Sequence, residues 1–478
     1  MARQLFLGNR IRRLRRREKL TQTQLAERLG ISTSYLNLIE NNKRSLTAPL
    51  LVKLAKDFQL DLQGISEDDE TRLAADLEEV FADHVFANTE LGQEELRELA
   101  LNAPNAAKAF LKLYRAFRAT REDHQTLAAR VEDGADLSGF DALRLPSQEV
   151  SDLIQMHNNH FPSLESHAET LWQRGNLQRH ELGQSLQNYL RRELDVRTEF
   201  ITSAKTEGSV RRFFPSERRL LISEVLPIPS ATFQLAHQIG LLELDAELDR
   251  LSSWHGLTTP QSKSLAKIAL ANYFASAVLM PYGEFLEAAK FNRYDVEILE
   301  HRFQTTFEQV CHRLTSLSRP ENPGVPFHMM RIDIAGNISK HFSGSGIRFA
   351  RYSGACPRWN VFSAFTTPGI IRTQLSRMPD GATFFCIART VRKAGGGFRV
   401  PQNRLAIGLG CDVKFARELV YADGYNLDRN EAAVPVGVSC RLCDRMNCRQ
   451  RAFPPAQHGL QVDPNQRGLS FYYSPPPP

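Results

Sequence analysis

The stretch LTQTQLAERLGISTSYLNLIENNKR, residues 20–44, decides the fold of the N-terminal part of the chain. Its apolar residues recur at helical spacing, and Thr21 and Ser32 are N-cap residue types that each precede a short periodic run. Gly30 lies between the two runs, where a glycine readily ends a helix. The pattern therefore predicts two short helices joined by a glycine-containing turn, which is a helix-turn-helix.

The same stretch closely resembles the lambda-repressor-like, Cro/C1-type (XRE) family, and the resemblance covers residues 1–65. In that geometry the second helix lies in the major groove of DNA, and dimers bind two half-sites. The resemblance therefore implies an operator-binding homodimer or higher oligomer. It places Thr33, Ser34 and Asn37 at base edges. It assigns phosphate contacts to Gln22, Asn41, Lys43 and Arg44, with added sequence-independent affinity from the arginines at 12, 13, 15, 16 and 17.

Composition indicates a multidomain globular protein of 478 residues, with 42% hydrophobic and 24% charged residues. We found no apolar run near the ~18 residues that span a bilayer and no secretory signal, so we expect a cytoplasmic protein without a membrane partner. Seven cysteines are too few for a disulfide framework and favour a reducing compartment.

Charge is unevenly distributed along the chain. Residues 1–65 hold 13 Lys/Arg against 5 Asp/Glu, residues 66–98 hold 2 against 12, and residues 331–400 hold 11 against 2. Two separate basic segments predict two anionic partners, which need not be the same.

Residues 66–150 are predicted to be a helical connector that ends in a linker rich in Gly, Asp and Ser. Its second long helix carries apolar residues at helical spacing. These residues are Phe110, Leu113, Tyr114 and Phe117. They suit either dimer contacts, which we favour, or the core of the next domain.

Residues 151–320 resemble the metallopeptidase-like (IrrE/ImmA-type) domain often fused to such heads, with a zincin-like fold. The usual helix there reads H-E-x-x-H, in which two His bind zinc and the Glu activates water. Here His237 remains, but Gln238 and Leu241 replace the Glu and the second His, and residues 268–270 offer no carboxylate. We therefore expect no catalytic residues, no enzyme activity and a hydrogen-bonded core histidine at 237.

Residues 321–470 resemble the C-terminal sensory domain of the short-chain fatty acyl-responsive transcription regulators. The resemblance implies a short-chain acyl-CoA effector and control of propionate, acetate or glyoxylate-type metabolism. Coenzyme A carries several phosphates, which basic residues near aromatic ones can bind. The candidates are Arg351, Arg358, Trp359, Arg389, Arg392 and Lys393. DNA or a nucleotide remains an alternative anion for this block.

Arg389 and Arg392 follow a β-type run, TFFCIARTV, residues 383–391. If the strand continues, its period of two places these two arginines on opposite faces of the sheet.

The stretch CRLCDRMNC, residues 440–448, has C-x2-C-x4-C spacing, which predicts a metal site with Cys440, Cys443 and Cys448 as ligands. A fourth ligand is needed, and we favour Cys411, with Cys386, Cys356 and His458 as alternatives. The lopsided spacing favours an iron–sulfur cluster over zinc or no metal.

The sequence thus predicts a chain that is mainly α in its N-terminal two-thirds, an α+β C-terminal domain of mixed α/β structure, and a flexible tail at 471–478. The predicted function is a transcription regulator whose operator affinity a short-chain acyl-CoA controls. The alternatives are a redox-sensing regulator and, against the residues at 238 and 241, a proteolytic one.

Overall fold

The computed structural model of the chain describes residues 11–58 with short gaps, 67–86, 89, 91–132, 146–202, 209–349, 355–393, 403–427 and 432–454. The chain divides into two compact units, Met1–Arg118 and Ala119–Pro478. Each unit is described separately below.

All regular elements among the described residues of the first unit are helical. Its elements are α1 Gln22–Leu29, α2 Thr33–Glu40, α3 Glu67–Phe81, a 3-10 turn His84–Phe86, α4 Gln93–Asn102 and α5 Pro104–Glu132. Helix α5 runs past the unit boundary.

The predicted capping residues set the ends of the first two helices. The Thr21 hydroxyl accepts the backbone N–H of Gln24 at 3.2 Å, and the Gln24 side chain accepts the N–H of Thr21 at 2.8 Å. Gly30 ends α1 with a φ of 71°, which favours glycine. Ser32 caps α2 by accepting the N–H of Tyr35 at 3.1 Å. These contacts confirm the helix-turn-helix.

Helices α3 to α5 form an aromatic core within the first unit. The Phe81 and Phe110 rings stack at 5.0 Å, Phe86 packs on both, and Tyr114 is 4% exposed. Phe110 and Tyr114 therefore serve this unit itself rather than the middle domain. Leu113 and Phe117, by contrast, are 68% and 43% exposed on α5.

The second unit contains ten helices and nine strands among its described residues, besides 3-10 turns. The helices are α6 Pro146–Met156, α7 Pro162–Arg174, α8 Leu182–Glu193, α9 Ile228–Glu243, α10 Asp245–Ser252, α11 Pro260–Leu279, α12 Tyr282–Phe291, α13 Val296–Phe303, α14 Phe307–Leu314 and α15 Asn360–Ser363. The strands are β1 Arg197–Ile201, β2 Arg211–Phe214, β3 Arg219–Ser223, β4 Phe327–Ile332, β5 Ile338–Ser343, β6 Arg372–Arg377, β7 Thr383–Arg392, β8 Arg404–Asp412 and β9 Val434–Pro435.

A three-stranded sheet of order β1-β3-β2 accompanies the helices of the middle region. Its central strand β3 pairs in parallel with β1 and antiparallel with β2. Leu220 and Ile222 of β3 are fully buried against the helical core. The middle region therefore adds a small sheet to the mainly helical architecture that the sequence predicts.

The C-terminal sheet has six strands in the order β5-β4-β8-β7-β6-β9 and is antiparallel except for the β6–β9 pair. Side chains alternate between its two faces. Phe385 and Ile387 of β7 pack into the helical core, whereas Phe384 and Ala388 pack into a second, smaller core. Because both faces are covered, strand β8 is buried along almost its whole length.

One hydrophobic core joins the middle helices to the C-terminal sheet. It runs from Phe161, the residue before helix α7, through Phe327 of β4 to Ala433. It thus crosses the boundary that the sequence predicts at residue 320. The two regions are therefore packed together as parts of one unit.

A side-chain amide covers the edge strand β5. Gln155 of α6 donates to the carbonyl of Ser343 at 2.8 Å and accepts its N–H at 3.0 Å. The amide thereby satisfies a backbone pair that an edge strand otherwise exposes to water.

A buried ion pair joins α7 to α14. The Arg313 guanidinium makes two hydrogen bonds to the Glu165 carboxylate, at 2.6 and 2.9 Å, and both side chains are at most 2% exposed. Arg313 also donates to the Met280 carbonyl at 2.9 Å, and Tyr273 donates to Glu165. Burial by itself raises the pKa of Glu165, but Arg313 and Tyr273 outweigh it and hold the pKa below its ordinary value of 4.5.

No single helix among the described residues is long and apolar enough to cross a membrane. The bent pair α11 and α12 meets the requirement only when its two helices are counted together, and most of their apolar residues are buried core.

We predict that Arg313→Met destabilises the second unit by about 3–5 kcal/mol, because it leaves a buried carboxylate without its counter-ion. The double variant Arg313→Met/Glu165→Leu should lose much less, since an apolar pair can replace a buried ion pair. Urea unfolding of the full chain measures both, and equal losses in the two variants contradict the prediction. Because the pKa of Glu165 is lowered, the stabilisation by the pair should be present at neutral pH and decrease as the pH falls below about 4.5.

Candidate functional site

Helix α2 presents the residues that the sequence predicts to read bases. Thr33, Ser34 and Asn37 are all exposed on it, while Leu36 and Ile39 face the core of the head. The Asn41 side chain donates to the Asn37 side-chain oxygen at 2.5 Å and to the Asn37 carbonyl at 3.0 Å. Asn41 thus orients the amide of Asn37 at the exposed surface.

The buried carboxylate of Glu40 connects α2 to the rest of the head. Arg15 makes two hydrogen bonds to it, at 2.7 and 3.0 Å, and Gln22 donates to it at 2.8 Å. Burial raises the pKa of Glu40, but hydrogen bonds from Arg15 and Gln22 outweigh this and keep the pKa below 4.5. Arg15, predicted as a phosphate contact, therefore serves the fold of the head.

The remaining predicted phosphate contacts are placed differently. The Arg12 guanidinium hydrogen-bonds the Asn41 side chain, and that of Arg44 lies over the Tyr35 ring at 5.3 Å. Lys43, with Arg13, Arg16 and Arg17, lies outside the described residues.

The metallopeptidase-like centre holds a buried histidine whose two nitrogens are both engaged. His237 of α9 is 3% exposed, one ring nitrogen contacts the Arg211 guanidinium from β2, and the ring also hydrogen-bonds the Ile268 backbone. Burial, and then the charge of Arg211, lowers the pKa of His237 to about 3, so the imidazole is neutral. His237 is thus a hydrogen-bonded core residue, as predicted.

Gln238, which stands where the catalytic Glu is expected, is 2% exposed, and its side-chain oxygen has no hydrogen-bond partner among the described residues. An amide cannot take a proton from water as a carboxylate can. Leu241 packs against the helical core. The centre therefore keeps the packing of a metallopeptidase helix without donors that could hold zinc and activate water.

The residues predicted to bind acyl-CoA fall into two groups. Arg389 donates to Glu300 at 3.0 Å and lies over the Phe307 ring, and Lys393 pairs with Glu308. Arg392 is exposed at the end of β7, on the opposite face from Arg389, as its register predicts.

The other predicted effector residues belong to the loop before α15. Trp359 is 8% exposed and donates to the Gly437 carbonyl at 2.9 Å, with its ring 5.6 Å from that of Phe349. Arg358 beside it is half-buried, and Arg351 lies outside the described residues. This loop therefore combines a cation with a fixed aromatic ring.

The cysteine loop is organised by arginines that bind backbone carbonyls. Arg451 donates to the carbonyls of Cys440 and Cys443, both at 2.6 Å, and Arg445 donates to that of Arg377 at 3.0 Å. These guanidinium groups therefore bind the backbone of the loop and stabilise its conformation.

A fourth thiol lies near this loop. Burial raises the pKa of Cys356, and the nearby thiols of Cys440 and Cys443 raise it further. The N–H of Cys356 donates to Val438 at 3.1 Å, and a Cβ on Gly437 would lie 3.3 Å from the Cys443 sulfur. Cys356 is thus held beside the loop by the second core.

Cys411 lies elsewhere. It is fully buried on β8, where it pairs with Phe327 and Phe385 and packs into the helical core on the other face of the sheet. The structure does not bring it to the other three predicted ligands. In the part of the chain that the structure describes, no three His, Cys, Asp or Glu side chains are arranged to hold a metal ion.

One feature of these sites, the buried carboxylate of Glu40, is absent from the sequence-based prediction. Glu40 follows the apolar Ile39 on the last turn of α2, and an acidic residue there, downstream of an arginine-rich segment, is a signal for a buried pair. Cys356 enters that prediction only as an alternative fourth ligand. More than eighty residues separate it from Cys440, so no local spacing favours it over Cys411.

Comparison with known families divides the chain into three matched segments. Residues 11–65 match a helix-turn-helix family, residues 191–315 match the IrrE N-terminal-like domain, and residues 316–472 match the C-terminal region of the short-chain fatty acyl coenzyme A regulators.

Similar proteins cover almost the whole chain. The propionyl-CoA carboxylase regulator of Cereibacter sphaeroides is 40% identical over 99% of each chain. The HTH-type transcriptional regulator PrpR of Mycobacterium tuberculosis is 36% identical over 98% of this chain and 96% of that protein, and the regulator RamB of the same species is 36% identical over 98% of both. A solved Mycobacterium tuberculosis transcriptional regulator, 36% identical, superposes with a TM-score of 0.66 over 69% of this chain and 100% of that chain.

Proposed function

This chain belongs to the family of helix-turn-helix transcription regulators with a C-terminal short-chain fatty acyl coenzyme A regulator region, and we propose that a short-chain acyl-CoA controls its affinity for a DNA operator. The observation that carries the proposal is the match of residues 316–472 to that region. The relatives that align with almost the whole chain are named as regulators. The name of the Cereibacter relative points to propionyl-CoA metabolism as the regulated process.

The residues free to meet the effector are fewer than the sequence predicts. Arg389 and Lys393 are engaged with carboxylates of α13 and α14, so we assign them to packing the sheet on those helices. Arg358 and Arg392 remain candidates for the phosphates, and Trp359 holds the loop that carries Arg358. Arg351 stays a candidate from sequence.

Control of DNA binding requires that the effector binds the operator-competent and incompetent states with different affinity. By reciprocity, the operator then changes the affinity for the effector by the same factor. The coupling is therefore tested by measuring the operator affinity with and without the effector, and the effector affinity with and without the operator.

We predict that propionyl-CoA raises the melting temperature of the full-length protein and changes its operator affinity at least fivefold, whereas coenzyme A alone has a smaller effect. Arg358→Gln and Arg392→Gln should each weaken propionyl-CoA binding roughly tenfold, since a charged hydrogen bond contributes about 1.5–3 kcal/mol. Lys414→Gln, an exposed cation on the 3-10 turn after β8, is the matched control and should bind normally. Equal operator affinity with and without propionyl-CoA contradicts the proposal that this acyl-CoA controls DNA binding.

The head supports operator recognition through the exposed face of α2. We predict that Asn37→Ala lowers operator affinity by about 1–3 kcal/mol and leaves affinity for random DNA unchanged, because base-edge contacts carry specificity. Arg44→Gln is the contrasting variant: a phosphate contact should weaken both DNAs alike and reduce the salt dependence. Electrophoretic mobility assays at two salt concentrations separate them. A parallel loss on random DNA for Asn37→Ala removes its proposed role.

We also propose that the protein is a homodimer through α5, as two half-sites require. Leu113 and Phe117 lie four residues apart on one exposed stripe of that helix, next to the buried aromatic core. Such a stripe suits a second copy of the same helix.

The dimer proposal predicts that Leu113→Glu shifts the protein toward monomer in sedimentation velocity. Lys112→Glu, a neighbouring exposed position that carries no apolar surface, should leave the dimer intact. A dimer of unchanged strength in Leu113→Glu excludes this surface.

For the cysteine loop we propose an iron–sulfur cluster, with zinc as the alternative, held by Cys440, Cys443, Cys448 and, in place of Cys411, Cys356. Four thiols are soft ligands that suit either metal. Binding requires the cysteine loop to bring the sulfurs together, because no three of them are arranged around a metal position in the described residues. A bound cluster would tie the loop to the second core and could add redox sensing.

We predict that Cys443→Ser and Cys356→Ser each lose the metal from anaerobically purified protein, while Cys411→Ser retains it. Metal analysis per chain and visible absorbance of the same samples measure this. Full metal content in Cys443→Ser rejects the site, and metal loss in Cys411→Ser with retention in Cys356→Ser restores the original choice of fourth ligand.

A further inference from the structure

Positive charge gathers where strands β4 and β5 meet helix α14. Arg331 of β4 and Lys340 of β5 are partners in the strand register, so their side chains lie side by side on one face of the sheet. Like charges directly opposite each other destabilise a strand pair. Lys393, which follows β7, reaches the same place by pairing with Glu308 of α14. The sheet therefore holds two cations side by side, next to a third.

Glu308 is the carboxylate at the centre of this group. It accepts a hydrogen bond from Arg331 Nη1 at 2.7 Å and pairs with the Lys393 ammonium. Burial raises its pKa, but Lys393, Arg331 and Lys340 outweigh burial and hold the pKa below its ordinary value of 4.5. The carboxylate is therefore ionised at neutral pH. Three cations against one carboxylate leave an excess of two positive charges.

His312, one turn further along α14, adds no charge to this group. Burial, and then the charge of Lys340, lowers the pKa of His312 well below its ordinary value of 6.5. The imidazole is therefore neutral at pH 7, and the excess of positive charge is carried by the lysines and the arginine alone.

Lys340 is the cation without a partner in this group. Its ammonium makes no hydrogen bond or ion pair within the part of the chain that the structure describes, where Arg331 and Lys393 already engage Glu308. Burial lowers the pKa of Lys340 to about 8. Glu308 acts in the opposite direction, and the charges of Arg331 and Lys393 lower the pKa further. A half-buried charge without a partner is costly, so this position favours a further anion.

The unpaired nitrogen atoms of the group are open to solvent. Arg331 donates from Nη1 to Glu308 and from Nε to the Ser339 hydroxyl at 2.9 Å, which leaves Nη2 without a partner among the described side chains. Neither Nη2 nor the Lys340 ammonium is among the polar atoms there that are both fully buried and unpaired, so each keeps some accessible surface. Ser339 and Lys393 at the edge are exposed. An ion from solution can therefore reach both nitrogens.

We propose that Lys340 and the free Nη2 of Arg331 bind a phosphate group. A phosphate dianion supplies two negative charges, which equals the excess of the cluster, whereas a carboxylate supplies one. Its oxygens accept hydrogen bonds from a planar guanidinium and from an ammonium together. The inference goes beyond the proposed function, because the group can belong either to inorganic phosphate or to the phosphate monoester of a ligand such as coenzyme A.

Thermal unfolding of the full-length protein in inorganic phosphate tests the site. Phosphate should raise the melting temperature with saturation, and chloride at the same ionic strength should not, since only a bound ion stabilises the folded state in this way. Lys340→Gln should weaken phosphate binding roughly tenfold, as loss of one charged hydrogen bond predicts. Lys263→Gln, at an exposed lysine of α11, is the matched control and should respond as the wild type does.

The same curves separate binding from a structural role of Lys340. In chloride, Lys340→Gln should be at least as stable as the wild type, because it removes a like charge opposite Arg331. Arg331→Lys keeps the charge beside Glu308 but lacks Nη2, and it should weaken phosphate binding as well. A lower melting temperature of Lys340→Gln in chloride, with an undiminished response to phosphate, assigns Lys340 to the fold and overturns the proposal.

Propionyl-CoA and its 3′-dephospho form identify the source of the phosphate group. If the monoester of coenzyme A binds here, the wild type should prefer propionyl-CoA roughly tenfold, and Lys340→Gln should bind the two forms alike. If inorganic phosphate is the source, the wild type binds the two forms alike, and only inorganic phosphate gives a shift that depends on Lys340.

The outcomes distinguish this inference from the proposed function. The phosphate site is overturned when neither probe depends on Lys340, and acyl-CoA control stands if propionyl-CoA still binds and changes operator affinity. If inorganic phosphate binds through Lys340 and propionyl-CoA does not bind at all, the phosphate site stands and the proposed function fails.

Discussion

The second unit depends on the buried pair between Glu165 and Arg313. Two charges inside a helical core are stable only when nearly every donor and acceptor has a partner, and here the guanidinium reaches a carboxylate, a backbone carbonyl and a hydroxyl together. Helix α7, the C-terminal end of α11 and helix α14 must therefore meet in one geometry. These helices form the surface against which one face of the six-stranded sheet packs.

The sheet is placed by the same helices. Its helical face shares one core with them. Charged contacts at the edge of that core, such as Arg389 with Glu300 and Arg331 with Glu308, join the strands to α13 and α14. The opposite face carries the second core, the loop before α15 and the cysteine loop. The two faces of one sheet thus contact the helical core on one side and the cysteine loop on the other.

The degenerate centre shows how a catalytic frame becomes a structural one. With the Glu and the second His replaced, His237 needs partners for its two nitrogens, and Arg211 and the backbone of Ile268 supply them. A buried polar group without a partner is costly. The contacts of His237 avoid that cost for the imidazole, whereas the side-chain oxygen of Gln238 has no partner among the described residues. The domain contributes packing at the position where the H-E-x-x-H motif would hold a metal.

The sequence by itself determined the helix-turn-helix, its capping residues, the long helix α5, strand β7 and the loss of zinc ligands at Gln238 and Leu241. These follow from local spacing and residue chemistry, which a sequence displays directly. Only the tertiary structure decided which charges are engaged, as with Arg15 at Glu40 and Arg389 at Glu300, and which cysteine lies beside the loop at 440–448. Such pairings join residues far apart in the chain, and their choice depends on how the sheet faces and helices pack rather than on any local pattern.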